Sequence, residues 1–259
     1  MLRFISALRP VWSWGLAGGL AAGLWLAGTP PVHGAAHNGD MMPGHMEMTS
    51  LRPMRPGDKQ RAAAIVAAAR KAADPYKDYK KALADGYTIF LPEVKQDVYH
   101  FTNQAHAFHN TMDFDASRPT SLLYEKVAAK AGGTPGYKLV GVMYTAPFEV
   151  SEQELDRRVP LSIARWHLHT NLCLPPGSDV GDQDIEGSEY VGKDAKFGLL
   201  GSITTGAACR AAGGKFLPYI FGWMVHVYPY ETDPAKVWAS GMDDPHGMGH
   251  DAMAPDMPM

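Results

Sequence analysis

The segment Arg165-Trp166-His167-Leu168-His169-Thr170-Asn171-Leu172-Cys173 sets two imidazoles two residues apart, and Gly222-Trp223-Met224-Val225-His226-Val227-Tyr228-Pro229 brings a third from further along the chain. In a β-strand the period of two puts Arg165, His167, His169, Asn171 and Cys173 on one face and Trp166, Leu168 and Leu172 on the other. The second segment divides the same way, with Phe221, Trp223, Val225 and Val227 on one side and Gly222, Met224, His226 and Tyr228 on the other. Three imidazoles so placed can converge on one ion at Zn–N or Cu–N distances of about 2.0 to 2.1 Å. The doublet alone is weak, since 11 histidines in 259 residues give roughly half of one His-x-His pair by chance. Its setting among apolar strand neighbours carries more weight, because a buried imidazole left without a ligand or hydrogen bond costs on the order of 1 to 3 kcal/mol. A hydrogen-bonded, purely structural histidine face is the competing reading.

A fourth candidate lies in Tyr99-His100-Phe101-Thr102-Asn103, where His100 ends an apolar run. The expected metal set is therefore His100, His167, His169 and His226. His106 and His109, three apart, would share a helix face and read as solvent-facing or capping residues. The two cysteines, Cys173 and Cys209, predict one disulfide in an exported protein. The alternative is a Cys173 thiolate joining His167 and His169 in a blue-copper-like centre. The sequence has no Gly-x-Ser-x-Gly elbow, His-Glu-x-x-His helix, Walker loop or dinucleotide-binding glycine pattern. A three-histidine metal with an open position would still activate water or oxygen. Glu93, Glu125, Glu189 and Arg165 are then candidate proton-transfer neighbours, and spacing does not choose among them.

The flanks differ sharply from the centre. Residues 37–54 carry His37, Met41, Met42, His45, Met46, Met48 and Met54, and residues 242–259 carry Met242, His246, Met248, His250, Met253, Met257 and Met259. Ten of the 13 methionines after the initiator fall in these two stretches. Both are rich in Gly, Pro and Asp, so 37–57 and 241–259 are expected to be disordered. Thioether and imidazole together favour copper, the thioether especially Cu(I), with zinc or iron as the alternatives. His37, Met42, His45, Met46, Met48, Met242, His246, Met248 and His250 form a second, weaker set of candidate ligands. Compositional drift in unstructured flanks is the bland reading.

Residues 1–36 read as an export signal. Arg3 and Arg9 supply positive charge, Gly15 to Gly28 is apolar, Pro30-Pro31 ends the run, and Gly34-Ala35-Ala36 offers a small-x-small cleavage pattern. The expected location is periplasmic or secreted. An uncleaved anchor is the competing reading and is the only route to membrane association. A formal charge of -3 and no basic run argue against nucleic acid as a partner. The expected partners are a metal ion and a protein that donates or accepts it.

Between the flanks a single domain over 58–240 is expected. Asp58 is placed to cap a helix that Asp74-Pro75 ends, and a second helix runs from about Tyr76 to Asp85, closed by Gly86. Strand-like runs follow at Tyr87 to Leu91, Val98 to Phe101, Ser121 to Lys126 and Tyr137 to Tyr144, with a hairpin loop over Gly132 to Gly136. Residues 174–192 read as a long loop, and Leu199 to Ala212 as a short helix carrying Cys209. The predicted class is α+β, with N-terminal helices followed by a mainly antiparallel sheet or small barrel.

The order Ala84-Asp85-Gly86-Tyr87, His100-Phe101-Thr102-Asn103, Trp166-His167-Leu168-His169-Thr170-Asn171-Leu172-Cys173 and Trp223-Met224-Val225-His226-Val227-Tyr228-Pro229 resembles a group of exported bacterial proteins of unknown function. The resemblance covers roughly residues 60 to 235 and implies that His100, His167, His169 and His226 belong to matching motifs. The pattern is also loosely similar to cupins, in which a His-x-His strand and a later strand histidine share a metal. The glutamate that cupins usually place a few residues after the doublet is absent here. The function expected from all of this is exported metal binding or handling, with copper as the ion. A metal-dependent oxidoreductase and a structural envelope protein are the alternatives.

Overall fold

Five segments combine large apolar residues at one parity with small, polar or histidine residues at the other, and this gives a sheet with two different faces. The computed structural model describes residues 44–92, 96–128, 136–178, 195–198 and 201–239. All of them fall within one compact unit, Asn38–Met259. The strands are β1 (Met46–Met48), β2 (Thr88–Ile89), β3 (Tyr99–Thr102), β4 (Ser121–Val127), β5 (Gly136–Ala146), β6 (His167–Leu174) and β7 (Lys215–Val227). They form one antiparallel sheet in the order β1-β6-β7-β5-β4-β3-β2.

One face is a conventional core. Phe101, Leu122, Tyr124, Val142, Tyr144, Trp166, Leu168, Trp223, Val225 and Val227 pack there against helical residues. Those come from α1 (Asp58–Ala73), which contributes Ile65, Ala69 and Ala73, from α2 (Tyr79–Ala84) with Ala82, and from α4 (Glu152–Arg158) with Leu155. The alanines let α1 and α2 lie close on the aromatic floor. The Arg70 guanidinium of α1 donates twice to the Pro229 carbonyl, at 2.9 and 2.6 Å, which fixes α1 to the chain just past β7.

The class is α+β, as the sequence implies, but two finer expectations are corrected. The helices do not all come first: β1 precedes α1, α3 (Gln104–Met112), α4 and α5 (Gly206–Ala211) are interleaved with the strands, and α6 (Pro234–Val237) follows β7. The sheet is not a closed barrel either, because β1 and β2 are its two edges. None of the described helices is long and apolar enough to cross a membrane.

Residues 44–57, expected to be disordered, are instead built into the domain. Thr49 and Trp166 exchange backbone and side-chain hydrogen bonds, and the segment then reaches an ionic knot. There the Arg52 guanidinium holds both Asp58 carboxylate oxygens, at 2.6 and 3.0 Å, and donates through Nε to Asp156 at 2.7 Å. The Asp58 carboxylate also accepts from the Arg55 amide and the Ser162 hydroxyl, so it turns back toward the preceding loop and does not cap α1, where Gly57 occupies the N-cap. Arg52, Ser162 and the Arg55 amide hold the Asp58 carboxyl far below the ordinary carboxylate range.

β7 carries the irregularity that matters for the site. His167 pairs with Met224 and His169 with Ile220, so β7 spends four residues where β6 spends two. The excess is taken up at Phe221 and Gly222, whose φ angles are 65° and 80°. A Cβ at Gly222 would stand 2.3 Å from the Ala146 carbonyl oxygen, so both backbone conformation and space require glycine. Gly222→Ala is expected to destabilise the fold by about 2 kcal/mol or more, from left-handed strain plus the clash. Gly177→Ala, at φ 83° with open space around it, should cost only about 1 kcal/mol. Denaturant midpoints of the two variants measure the difference.

Candidate metal centre

The second face of the sheet holds the histidines. His100 lies on β3, His167 and His169 on β6, and His226 on β7. Their rings form a row: 5.5 Å between the centroids of His169 and His167, 5.0 Å from His167 to His226, and 5.6 Å from His226 to His100. β3 and β7 are separated by β4 and β5, which in a flat sheet would put them about 14 Å apart. Rings 5.6 Å apart across that interval require the sheet to curl with its histidine face concave. Phe90, just after β2, reaches Phe221 on β7 at 5.3 Å and reports the same curl.

His167 is the floor of the row. It is 2 % exposed, and its Nδ1 is buried without a hydrogen-bond partner among the described residues. The same face carries a separate small apolar core that includes Leu123, Met143, Met224, Val98 and Tyr228. Burial, reinforced by His226, His169 and His100, drives the His167 pKa well below the ordinary imidazole value. His169 is lowered to about 4, first by burial and then by His226 and His45, while a hydrogen bond to the His45 backbone partly offsets the shift. Both rings are therefore neutral at pH 7, the form that ligates metals. Among the described residues no three His, Cys, Asp or Glu side chains stand in a metal-holding arrangement. The rings are neighbours in a row rather than a finished coordination shell.

The motifs divide their labour by parity. In His100-Phe101-Thr102-Asn103, His100 joins the row, Phe101 enters the core, Thr102 shares a hydrogen bond with Ser121, and Asn103 caps α3 through the amides of Ala105 and His106. In the segment ending at Pro229, His226 joins the row, Val227 enters the core and Tyr228 is buried on the histidine face. His106 is structural: its Nδ1 lies 3.0 Å from the Pro119 carbonyl and 3.2 Å from the Tyr87 hydroxyl.

Strict alternation stops at Asn171, whose φ of 57° is left-handed and whose side-chain amide donates to the Gly44 carbonyl. Cys173 beyond it clusters with Phe197 and Cys209 and is joined to Cys209 in a disulfide, Cα–Cα 5.6 Å. The expected disulfide is present, and a Cys173 thiolate ligand is excluded by it. His45 is buried, with Nε2 on the Gly201 carbonyl and Nδ1 facing the Thr170 carbonyl at 3.4 Å, so both ring nitrogens are turned to backbone oxygens. Glu125 pairs with Lys138 at 3.4 Å, and Arg165 lies just before β6, half-buried. His37, Met42, Met242, His246, Met248, His250, Glu93 and Glu189 lie outside the described residues.

Two features were missed in the sequence. The ionic knot of Arg52, Asp58 and Asp156 joins residues about a hundred positions apart, and no local pattern announces it. β1 did leave a signal, because Met46 and Met48 alternate with Glu47, but it was absorbed into a flank read as disordered. Compared with known proteins, the chain matches no family model, no curated protein and no solved structure.

The lowered histidine values set the pH dependence of the metal-free fold. The unfolded chain takes protons near pH 6.5 while folded His167 and His169 do not, so stability is complete above that pH and falls as pH drops through 6.5 toward 4. Each histidine adds a slope approaching about 1.4 kcal/mol per pH unit within the window. Asp58, lowered by its partners, adds a further loss only below about pH 4. Denaturant midpoints should decline between pH 7 and 5 in the unaltered protein and stay flat there in His167→Gln/His169→Gln.

Proposed function

We propose that this chain is an exported metal-binding protein whose ion is copper, held by His167, His169 and His226 with His100 at the end of the row. The observation that carries the reading is the contiguous row of four rings from three strands, with a buried Nδ1 on His167 at its floor that has no hydrogen-bond partner among the described residues. Two imidazoles bound to one ion at about 2.0 Å in a tetrahedral shell have ring centres roughly 5 Å apart, close to the spacings seen here. Rotation about the Cβ–Cγ bond, a soft torsion, is what would aim their nitrogens at one point. His167 and His169, neutral at pH 7, bind without first losing a proton.

Copper is favoured over zinc and iron by the methionine-rich flanks, and export is supported by the signal-like residues 1–36 together with the Cys173–Cys209 disulfide. Flanks rich in Met and His suit capture of the ion and its transfer to or from another protein. A structural envelope role leaves the His167 Nδ1 unexplained.

Metal analysis of the exported protein, purified without affinity tag or chelator, tests the reading. About one tightly held copper per chain is expected in the unaltered protein and in a form lacking 241–259, with additional weakly held copper lost from the latter. His167→Ala/His169→Ala should lose the tight ion while keeping the fold by circular dichroism. Stoichiometric zinc or iron in place of copper, or no tight ion in any form, would overturn it.

A further inference from the structure

Each inner histidine has a methionine directly across a strand pair. Met46 of β1 is opposite His169 and Met48 is opposite His167. On the other side of β6, His167 is opposite Met224 of β7, and His226 is opposite Met143 of β5. Directly opposed residues of an antiparallel pair project from the same face, with Cβ atoms about 4.5 to 5.5 Å apart. Four thioethers are therefore interleaved with three imidazoles on the concave face.

Core packing does not call for this. Leu, Ile and Val fill volume with better-defined rotamers, and the opposite face of the same sheet is packed with aromatic and branched residues and no methionine. Besides the initiator, the methionines outside the flanks are Met112, Met143 and Met224, and two of these three lie in the row. The other two thioethers arrive on a three-residue edge strand that β6 alone pairs with. That strand is fixed in register by local devices. The His45 ring binds the Gly201 carbonyl, the Asn171 amide binds the Gly44 carbonyl, and the Thr170 amide binds the His45 carbonyl. Met46 is consequently 7 % exposed although it belongs to the N-terminal flank.

We infer that the row is a mixed thioether–imidazole site for Cu(I), in which β1 delivers Met46 and Met48 as sulfur ligands beside the histidines of β6 and β7. The inference rests on the copper reading above and adds the oxidation state and the sulfur donors. Thioether sulfur is a soft ligand that favours Cu(I) over Cu(II) and Zn(II), whereas an all-imidazole site serves all three ions. Leucine is close to methionine in volume and lacks the donor atom, so Met→Leu removes the ligand while sparing the packing.

The test is an anaerobic competition titration of the full exported chain with Cu(I) and a chromophoric Cu(I) chelator, paired with X-ray absorption at the copper edge. Met46→Leu/Met48→Leu should weaken Cu(I) binding by about ten-fold or more, and Met143→Leu by a smaller factor. Zn(II) affinity should change by less than about two-fold in both variants, and the sulfur scattering shell should shrink relative to the unaltered protein. If Cu(I) affinity and the sulfur shell are unchanged in both methionine variants while His167→Ala/His169→Ala abolishes binding, the methionine inference fails and the histidine site stands. If the unaltered protein binds no Cu(I) tightly but holds Cu(II) at the histidines, the inference fails and the histidine site stands, and no tight copper in either oxidation state sinks both.

Discussion

A slip of one residue between β6 and β7 would carry His167 and His169 into the layer held by Trp166 and Leu168 and push those two large side chains to the opposite face. Because Trp166 and Leu168 are almost wholly buried beneath the helices, that slip is heavily penalised, and the register follows. The chemistry of one face is thus enforced by the packing of the other. The sheet then needs only curvature to gather the histidines, and the left-handed residues Phe221 and Gly222 add two residues to β7 beside the row.

The electrostatic consequence follows from the same burial. A histidine on the floor of an apolar, concave face keeps its proton only at high cost, and the neighbouring rings raise that cost further, so His167 and His169 are neutral where solvent histidines would begin to charge. A neutral, buried imidazole nitrogen without a hydrogen-bond partner among the described residues contributes little to the stability of a fold. The packing on the other face offsets that cost.

The N-terminal flank is described from Gly44 onward. Beyond it the chain enters the edge of the sheet, passes Trp166, and is locked by Arg52 against two carboxylates, Asp58 at the start of α1 and Asp156 in α4. A single guanidinium shared by two carboxylates ties the edge strand to the helical layer. This is why residues composed like a disordered flank, short, Gly- and Pro-containing and poor in large apolar groups, become part of the domain: their ordering rests on hydrogen bonds and ion pairs made to distant segments.

Much of the histidine site was legible because strand periodicity is a local property. His167, His169 and His226 were placed by counting on one face of their strands and Trp166, Leu168, Val225 and Val227 on the other, and His100 was found at the end of an apolar run. The strands from β2 to β5 and the α+β class followed from alternation and turn residues, and the Cys173–Cys209 bridge from the presence of two cysteines and an export signal. What counting could not supply was anything that depends on which strand lies beside which. The order of the sheet, the curl that brings His100 to His226 across two intervening strands, the opposition of Met46 and Met48 to the β6 histidines, and the inward turn of His45 all arise from pairings between residues far apart in sequence. Those pairings are chosen by the summed burial of the core face, an energy that no single window of the chain contains.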